Sequence, residues 1–166
     1  MSIVLRALPL TPSRFARYGN VIATSGSGVE PMNEARFERY ASLATADVDG
    51  DVAISIVRSR TAAQFPWCFN MVERHPRGSQ AFVPLGDFEF VVVVAPPGES
   101  VDPGSLEAFV TTAGQGVNYH RGTWHMPLIA ASADQSFLVI DRAPGDGNCE
   151  EWVFDEDVAL ESPWTR

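Results

Sequence analysis

Glu73-Arg74-His75-Pro76-Arg77-Gly78-Ser79-Gln80 is the stretch on which the reading of this chain turns, and residues 114–125 are its partner. The chain's three histidines, His75, His120 and His125, all fall inside these two segments. Histidine titrates near neutral pH and is the commonest metal ligand among side chains. Ahead of the turn marked by Pro76 and Gly78, the residues Phe69, Met71, Glu73 and His75 alternate with Asn70, Val72 and Arg74, which is the period of a strand. Beyond the turn, Gln80 and Phe82 share one face of the next strand. In the partner segment, residues 117–119 form a strand and Arg121-Gly122-Thr123 a turn. Both segments therefore read as short strands about tight turns, and we expect them to converge on one pocket.

Working outward, residues 1–10 start as a strand. Thr11 caps a short helix with Pro12 at its first position, Phe15 and Tyr18 share a face, and Gly19 can end it. A strand over 21–23 leads to the Ser25-Gly26-Ser27-Gly28 loop, and residues 29–50 carry no clear pattern. Strands are expected over 52–57, 88–95 (apolar on both faces, as in a central strand), 106–111 with a short helical lead, 124–131, 136–141 and 151–154. Pro- and Gly-containing turns separate them. Many short strands with such turns make an all-β sandwich or barrel with minor helices, here one domain over 1–166.

Composition closes off several functions. The net charge is −9, which disfavours nucleic acid and anionic membrane surfaces as partners. A small anion stays open, because distant surface charge is screened beyond about 8 Å and local arginines decide. All 12 basic residues are arginine, an absence of lysine most simply ascribed to compositional drift. Whatever its cause, it rules out a lysine Schiff base, a pyridoxal-phosphate anchor and a P-loop lysine. Cys68 and Cys149 have neither metal-ligand spacing nor a disulfide framework, and Cys68, between Trp67 and Phe69, reads as a buried thiol. Arg6 and Pro9 interrupt the apolar N-terminus, and no run approaches the ~20 apolar residues of a membrane span. The expected location is the cytoplasm.

The spacing of the two segments resembles the two motifs of cupin barrels. Gly114, Gly122 and His125 fit the second motif, with His120 where proline is usual. Glu73, His75 and Gln80 fit the three ligand positions of the first, Glu73 replacing its first histidine and Gln80 its glutamate. The longer stretches ERHPRGSQAFVPLG (73–86), GQGVNYHRGTWHMPL (114–128), VIDR (139–142) followed by GDGNC (145–149), and LPLTPSRFARYGNVI (8–22) closely resemble the ureidoglycolate lyase family, formerly called ureidoglycolate hydrolases. The resemblance covers nearly the whole chain. It implies a cupin-type double-stranded β-helix barrel, a homodimer, and cleavage of (S)-ureidoglycolate to glyoxylate and urea during allantoin and purine breakdown.

That reaction needs a base for the hydroxyl proton and an acid for the departing nitrogen, which suits Glu73, His75, His125 and His120. Arg74 or Arg121 can clamp the substrate carboxylate with a planar fork. Gln80, Asn118 and Tyr119 can hydrogen-bond the urea end, with Trp124 beside them. No organic cofactor is called for. Glu73, His75, Gln80 and His125 together offer two nitrogens and two oxygens, a set for nickel, manganese or zinc. Glutamine is a poor substitute for glutamate in that set, and a metal-free grip on the substrate by the same groups is left open.

Each residue has an ordinary alternative. Glu73 and His75 can be satisfied core groups, Gln80 a buried amide serving the backbone, His120 a turn hydrogen bond. Arg74 alternates away from Glu73 and His75 and can serve a dimer contact or pair with an acid. Arg121 can be plain surface, and Trp124 can simply pack. The rival function is a non-catalytic cupin that binds a small carboxylate as a sensor. A metal-dependent isomerase or dioxygenase is a third reading, against which Gln80 counts.

Overall fold

The computed structural model describes residues 3–26 and 28–164. Met1 and Ser2 of the expected opening strand, and Ser27 of the serine–glycine loop, lie outside the described residues. The strands are β1 (Ile3–Leu5), β2 (Leu8–Pro9), β3 (Gly19–Ile22), β4 (Val29–Met32), β5 (Phe37–Tyr40), β6 (Val52–Arg58), β7 (Trp67–Arg74), β8 (Gln80–Pro84), β9 (Val91–Ala95), β10 (Glu107–Val110), β11 (Gly116–Tyr119), β12 (Trp124–His125), β13 (Ser136–Arg142) and β14 (Glu150–Leu160). The helical content is one turn, α1 (Pro12–Phe15), and a 3₁₀ turn at Pro103–Ser105. Thr11 caps α1 as expected, its side chain accepting from the Arg14 N–H.

A seven-stranded sheet runs β1-β14-β7-β12-β9-β10-β2, and a five-stranded sheet runs β3-β11-β8-β13-β6. Phe82, Tyr119 and Phe137 of the second sheet meet Val92, Val94 and Phe109 of the first in one apolar core. A second cluster, including Val72, Val91, Val93, Trp124 and Leu160, covers the other face of the larger sheet. β9 feeds both clusters and is buried along its whole length. This is the outcome its unbroken Val-Val-Val-Val-Ala sequence dictates, since branched side chains suit a pleated strand buried on both faces. The chain is thus nearly all β, in a cupin-type barrel or sandwich.

Several elements differ from the sequence reading, each for a physical reason. The strand expected over 124–131 ends at His125, because Pro127 has no N–H to continue the ladder. The last strand is far longer than 151–154. β14 carries the acidic Asp155-Glu156-Asp157 through as an irregularity in its pairing with β7, between Val153 and Val158. Cys68 is exposed rather than buried, since alternation turns it away from the side of β7 on which Trp67 and Phe69 pack. Gly19 opens β3 instead of merely ending the helix. A Cβ there would meet the Asn118 carbonyl oxygen at 2.0 Å, so only glycine lets β3 lie against β11. The patternless residues 29–50 contain the exposed β4–β5 hairpin. No helix among the described residues is long and apolar enough to cross a membrane.

Candidate active site

The pairing of β7 with β12 sets Glu73 directly opposite His125, so the two side chains leave the larger sheet on the same face. β8 and β11 face them from the other sheet, with Gln80 opposite Tyr119. The turns after β7 and β11 are joined where Gly122 N–H donates to the His75 carbonyl at 3.0 Å. Gly122 makes that contact at φ +77°, a conformation that costs a side-chain-bearing residue. The two segments therefore converge, with the His75 and His125 rings 5.1 Å apart.

The hydrogen bonds fix what each ring presents. His75 Nδ1 lies 2.7 Å from the Asn148 carbonyl and His125 Nδ1 lies 2.9 Å from the Thr123 carbonyl. A carbonyl oxygen only accepts, so both Nδ1 atoms carry the proton and donate it. In each neutral ring the lone pair is then on Nε2. Both Nε2 atoms are buried without a hydrogen-bond partner. Both point toward one atom, Glu73 Oε1, at 4.0 Å from His75 and 3.4 Å from His125. Tyr119 stacks on His125 with centroids 4.4 Å apart, holding the ring's plane.

Glu73 is partly buried, yet its carboxyl is held below the usual carboxylate range, chiefly by its pairing with the His125 ring, whose Nε2 donates to Oε1 whenever that ring is protonated, while burial works the other way. It is therefore ionised at neutral pH. Its second oxygen, Oε2, accepts from the Cys149 thiol at 3.6 Å. Partial desolvation of the sulfur first, then the Glu73 charge, push that thiol up to about 11, so it stays a donor. Burial and Glu73 likewise keep the Tyr119 phenol protonated. Gln80 donates to Asp141 at 3.2 Å, and its Oε1 is buried without a partner.

One ligand atom each from Glu73, His75 and His125 lies within 4.8 Å of the others. Two bare imidazole nitrogens aimed at one carboxylate oxygen, each ring fixed from behind by a backbone carbonyl, is the donor set and the outer support of a divalent cation site. The residues fit such an ion. A cavity of about 610 Å³ lies in front of Glu73, walled by Phe69, Met71, Phe82, Met126 and Phe137. A smaller one of about 260 Å³ adjoins His75, Gln80, Asp141 and Cys149.

Five expected site residues are held elsewhere. Arg74 leaves the opposite face of β7, bonded to Glu150 and the Gly98 carbonyl and lying over the Trp124 ring. Trp124 packs on that outer face, its indole N–H on Gly98. Asn118 turns away from Tyr119, toward Asn20 and the Thr45 carbonyl. His120 lies at the surface against Asn20. Arg121 is spent on Asp47 and Asp49. Strand alternation accounts for Arg74, Asn118 and Trp124, each one residue from a neighbour that does face the cluster. Sequence reasoning missed Cys149 and Asn148, although the GDGNC run that carries them was singled out.

The ureidoglycolate lyase family matches residues 2–161 of the chain. A ureidoglycolate lyase of Stutzerimonas stutzeri is 44% identical over 154 residues, 92% of this chain and 91% of that protein. A Pseudomonas aeruginosa protein of the same name is 44% identical over 158 residues, 94% of each chain. One from Pseudomonas syringae pv. tomato is 43% identical over 155 residues, 92% of this chain and 91% of its own length.

Proposed function

The chain belongs to the ureidoglycolate lyase family, and from that premise we propose that it cleaves (S)-ureidoglycolate to glyoxylate and urea at the Glu73–His75–His125 cluster. The observation that carries the site is the convergence of two buried, unpartnered Nε2 atoms on one ionised carboxylate. Ureidoglycolate carries a hydroxyl, a carboxylate and a ureido nitrogen on one carbon. The hydroxyl proton passes to this cluster as the carbonyl forms, the C–N bond's electron pair leaves on the nitrogen, and a proton returns to that nitrogen to complete urea. Groups positioned for such transfers contribute roughly 10²–10⁴-fold to rate. Glu73, His75 and His125 would hold a divalent ion, which would supply Lewis acidity toward the hydroxyl oxygen. The free Gln80 oxygen accepts from the urea N–H groups, and the neutral Tyr119 fixes the His125 ring.

We read residues 1–166 as one cupin-like domain, cytoplasmic, working in allantoin and purine breakdown as a homodimer. Two exposed free thiols suit a reducing compartment. On the free edge strand β6, Ile54 and Ile56 are 72% and 67% exposed, a row of apolar side chains that a second copy would cover. The test is incubation of the purified protein with (S)-ureidoglycolate, with and without a chelator. The expected result is urea and glyoxylate in equal amounts. Ammonia in place of urea would make it an amidohydrolase. Saturable binding with no urea above background would make it a sensor.

A further inference from the structure

The proposed substrate is an anion, and Glu73 lines the cavity it must enter. An anion among apolar walls beside a second anion is unfavourable unless a cation meets it. The arginines nearest the cluster are already committed. Arg74 pairs with Glu150 at 2.6 Å, Arg77 with Asp146 at 2.6 Å, Arg121 with Asp47 and Asp49 at 2.7 Å each, and Arg142 with Asp146 at 3.0 Å. Among the described residues, the cations lining the cavity itself are Arg58 and Arg60. Arg58 has an exposed partner, Asp134, at 3.0 Å. Arg60 has no ion pair or hydrogen bond to any described residue.

The backbone beneath Arg60 is nonetheless fixed. Ser59 N–H donates to the Gln135 carbonyl at 2.9 Å, and the Ser59 hydroxyl donates to the Ser132 carbonyl at 2.8 Å. Ala63 N–H donates to the Ala130 carbonyl at 2.8 Å. A short strap tied down on both sides thus offers an uncommitted guanidinium to the cavity wall, with Ser59 and Thr61 beside it. An exposed pair such as Arg58–Asp134 is worth little and can exchange its acid for another.

We propose that the strap over residues 58–61 is the carboxylate subsite of the cavity, with Arg60 carrying the fork that binds the substrate and Arg58 in support. The inference rests on the ureidoglycolate reading, and it departs from the assignment of that task to Arg74 or Arg121. A fork that holds the carboxylate equally in ground and transition states raises affinity without changing the chemical step.

Steady-state urea release by Arg60→Ala, Arg60→Lys, Arg58→Ala and the double alanine variant tests it, alongside calorimetric titration of each with glyoxylate. In Arg60→Ala, KM rises roughly 10- to 100-fold while kcat stays within about three-fold of the wild type. Lysine restores part of the loss, because it keeps the charge and lacks the fork. The double variant is the weakest, and glyoxylate affinity falls in parallel. Unchanged KM and unchanged glyoxylate affinity in Arg60→Ala overturn the assignment, as does a loss confined to kcat. If the wild type releases no urea, the lyase reading fails by itself. The glyoxylate titration then still judges the strap: binding lost in Arg60→Ala sustains it, and binding unaltered in Arg60→Ala, or absent from the wild type, refutes it.

Discussion

Two charged clusters lie on either side of the turn after β7, and they are built on opposite terms. Around Arg77, Arg121 and Arg142, charge is spent in full. These arginines engage Asp47, Asp49 and Asp146, and the backbone joins in, with Asp49 N–H on the Arg77 carbonyl and Ser79 N–H on the Asp47 carbonyl. Around Glu73, two imidazole nitrogens and one amide oxygen are buried with nothing to bond. Leaving such an atom unsatisfied costs about 1–3 kcal/mol. Two such nitrogens on rings 5.1 Å apart, with an unpartnered amide oxygen lining a cavity beside His75, are places held for a ligand. Charge density alone would have pointed to the wrong cluster, since the first gathers three arginines and three aspartates.

Substitution sharpens the contrast most at His125. His125→Ala should lower urea release by roughly 10²–10⁴-fold, with the fold intact by circular dichroism, whereas Arg121→Ala should leave kcat within a few-fold. Reversal of the two results would make the saturated cluster the working one. Next in size is removal of an ion. Dialysis against a chelator should reduce turnover, and one of nickel, manganese or zinc should restore it. Glu73→Gln should bind that ion about 10-fold or more weakly, measured by metal analysis after gel filtration. Full activity in a demonstrably metal-free protein would assign the bare nitrogens to the substrate alone.

The sequence carried the central part of this contrast because the information is local there. Alternation along β7 put Glu73 and His75 on one face, and the spacing from Gly114 through Gly122 to His125 announced the second turn. The same alternation already set Arg74 apart. The same period turns the buried Asn118 side chain away from the cluster that Tyr119 faces, toward Asn20 and the Thr45 carbonyl. The saturated cluster was illegible for another reason. Two of its three aspartates, Asp47 and Asp49, lie in residues 29–50, which carry no hydrophobic period. Their placement is decided by long-range bonds such as Arg121 to Asp47, 74 residues apart in sequence. Cys149 was missed on similar grounds: only the fold brings the GDGNC loop over Glu73.

Cys149 provides a smaller test on the open side of the comparison. Its thiol is the donor to Glu73 Oε2, and Oε1 is left to face the histidines. Cys149→Ala should lower kcat by about two- to ten-fold, the scale of one modest hydrogen bond. Cys149→Ser, which keeps a donor, should recover most of it. Equal loss in both variants would mean that the thiol acts by its bulk and not by orienting the carboxylate.

The smallest effect concerns acid and belongs to the saturated side. Asp49 is held below its ordinary range chiefly by its hydrogen bond from Arg121, and Asp146 chiefly by that from Arg77. A carboxyl whose folded-state pKa is depressed contributes stability above its unfolded value and loses it as pH falls through the folded one. The segment around Asp47 and Asp49 should therefore be tightly held at neutral pH and begin to loosen only below the ordinary aspartate range, near pH 4. Both groups are exposed, so the change is local and salt-sensitive rather than a global unfolding. Hydrogen exchange of residues 45–50 as a function of pH measures it. Arg121→Ala should produce the same loosening at neutral pH, because it removes the charge that depresses Asp49. Should exchange in that segment ignore both acid and the substitution, its backbone bonds to Arg77 and Ser79 hold it without help from the charges. The two clusters would then differ in their ligand and not in how they are anchored.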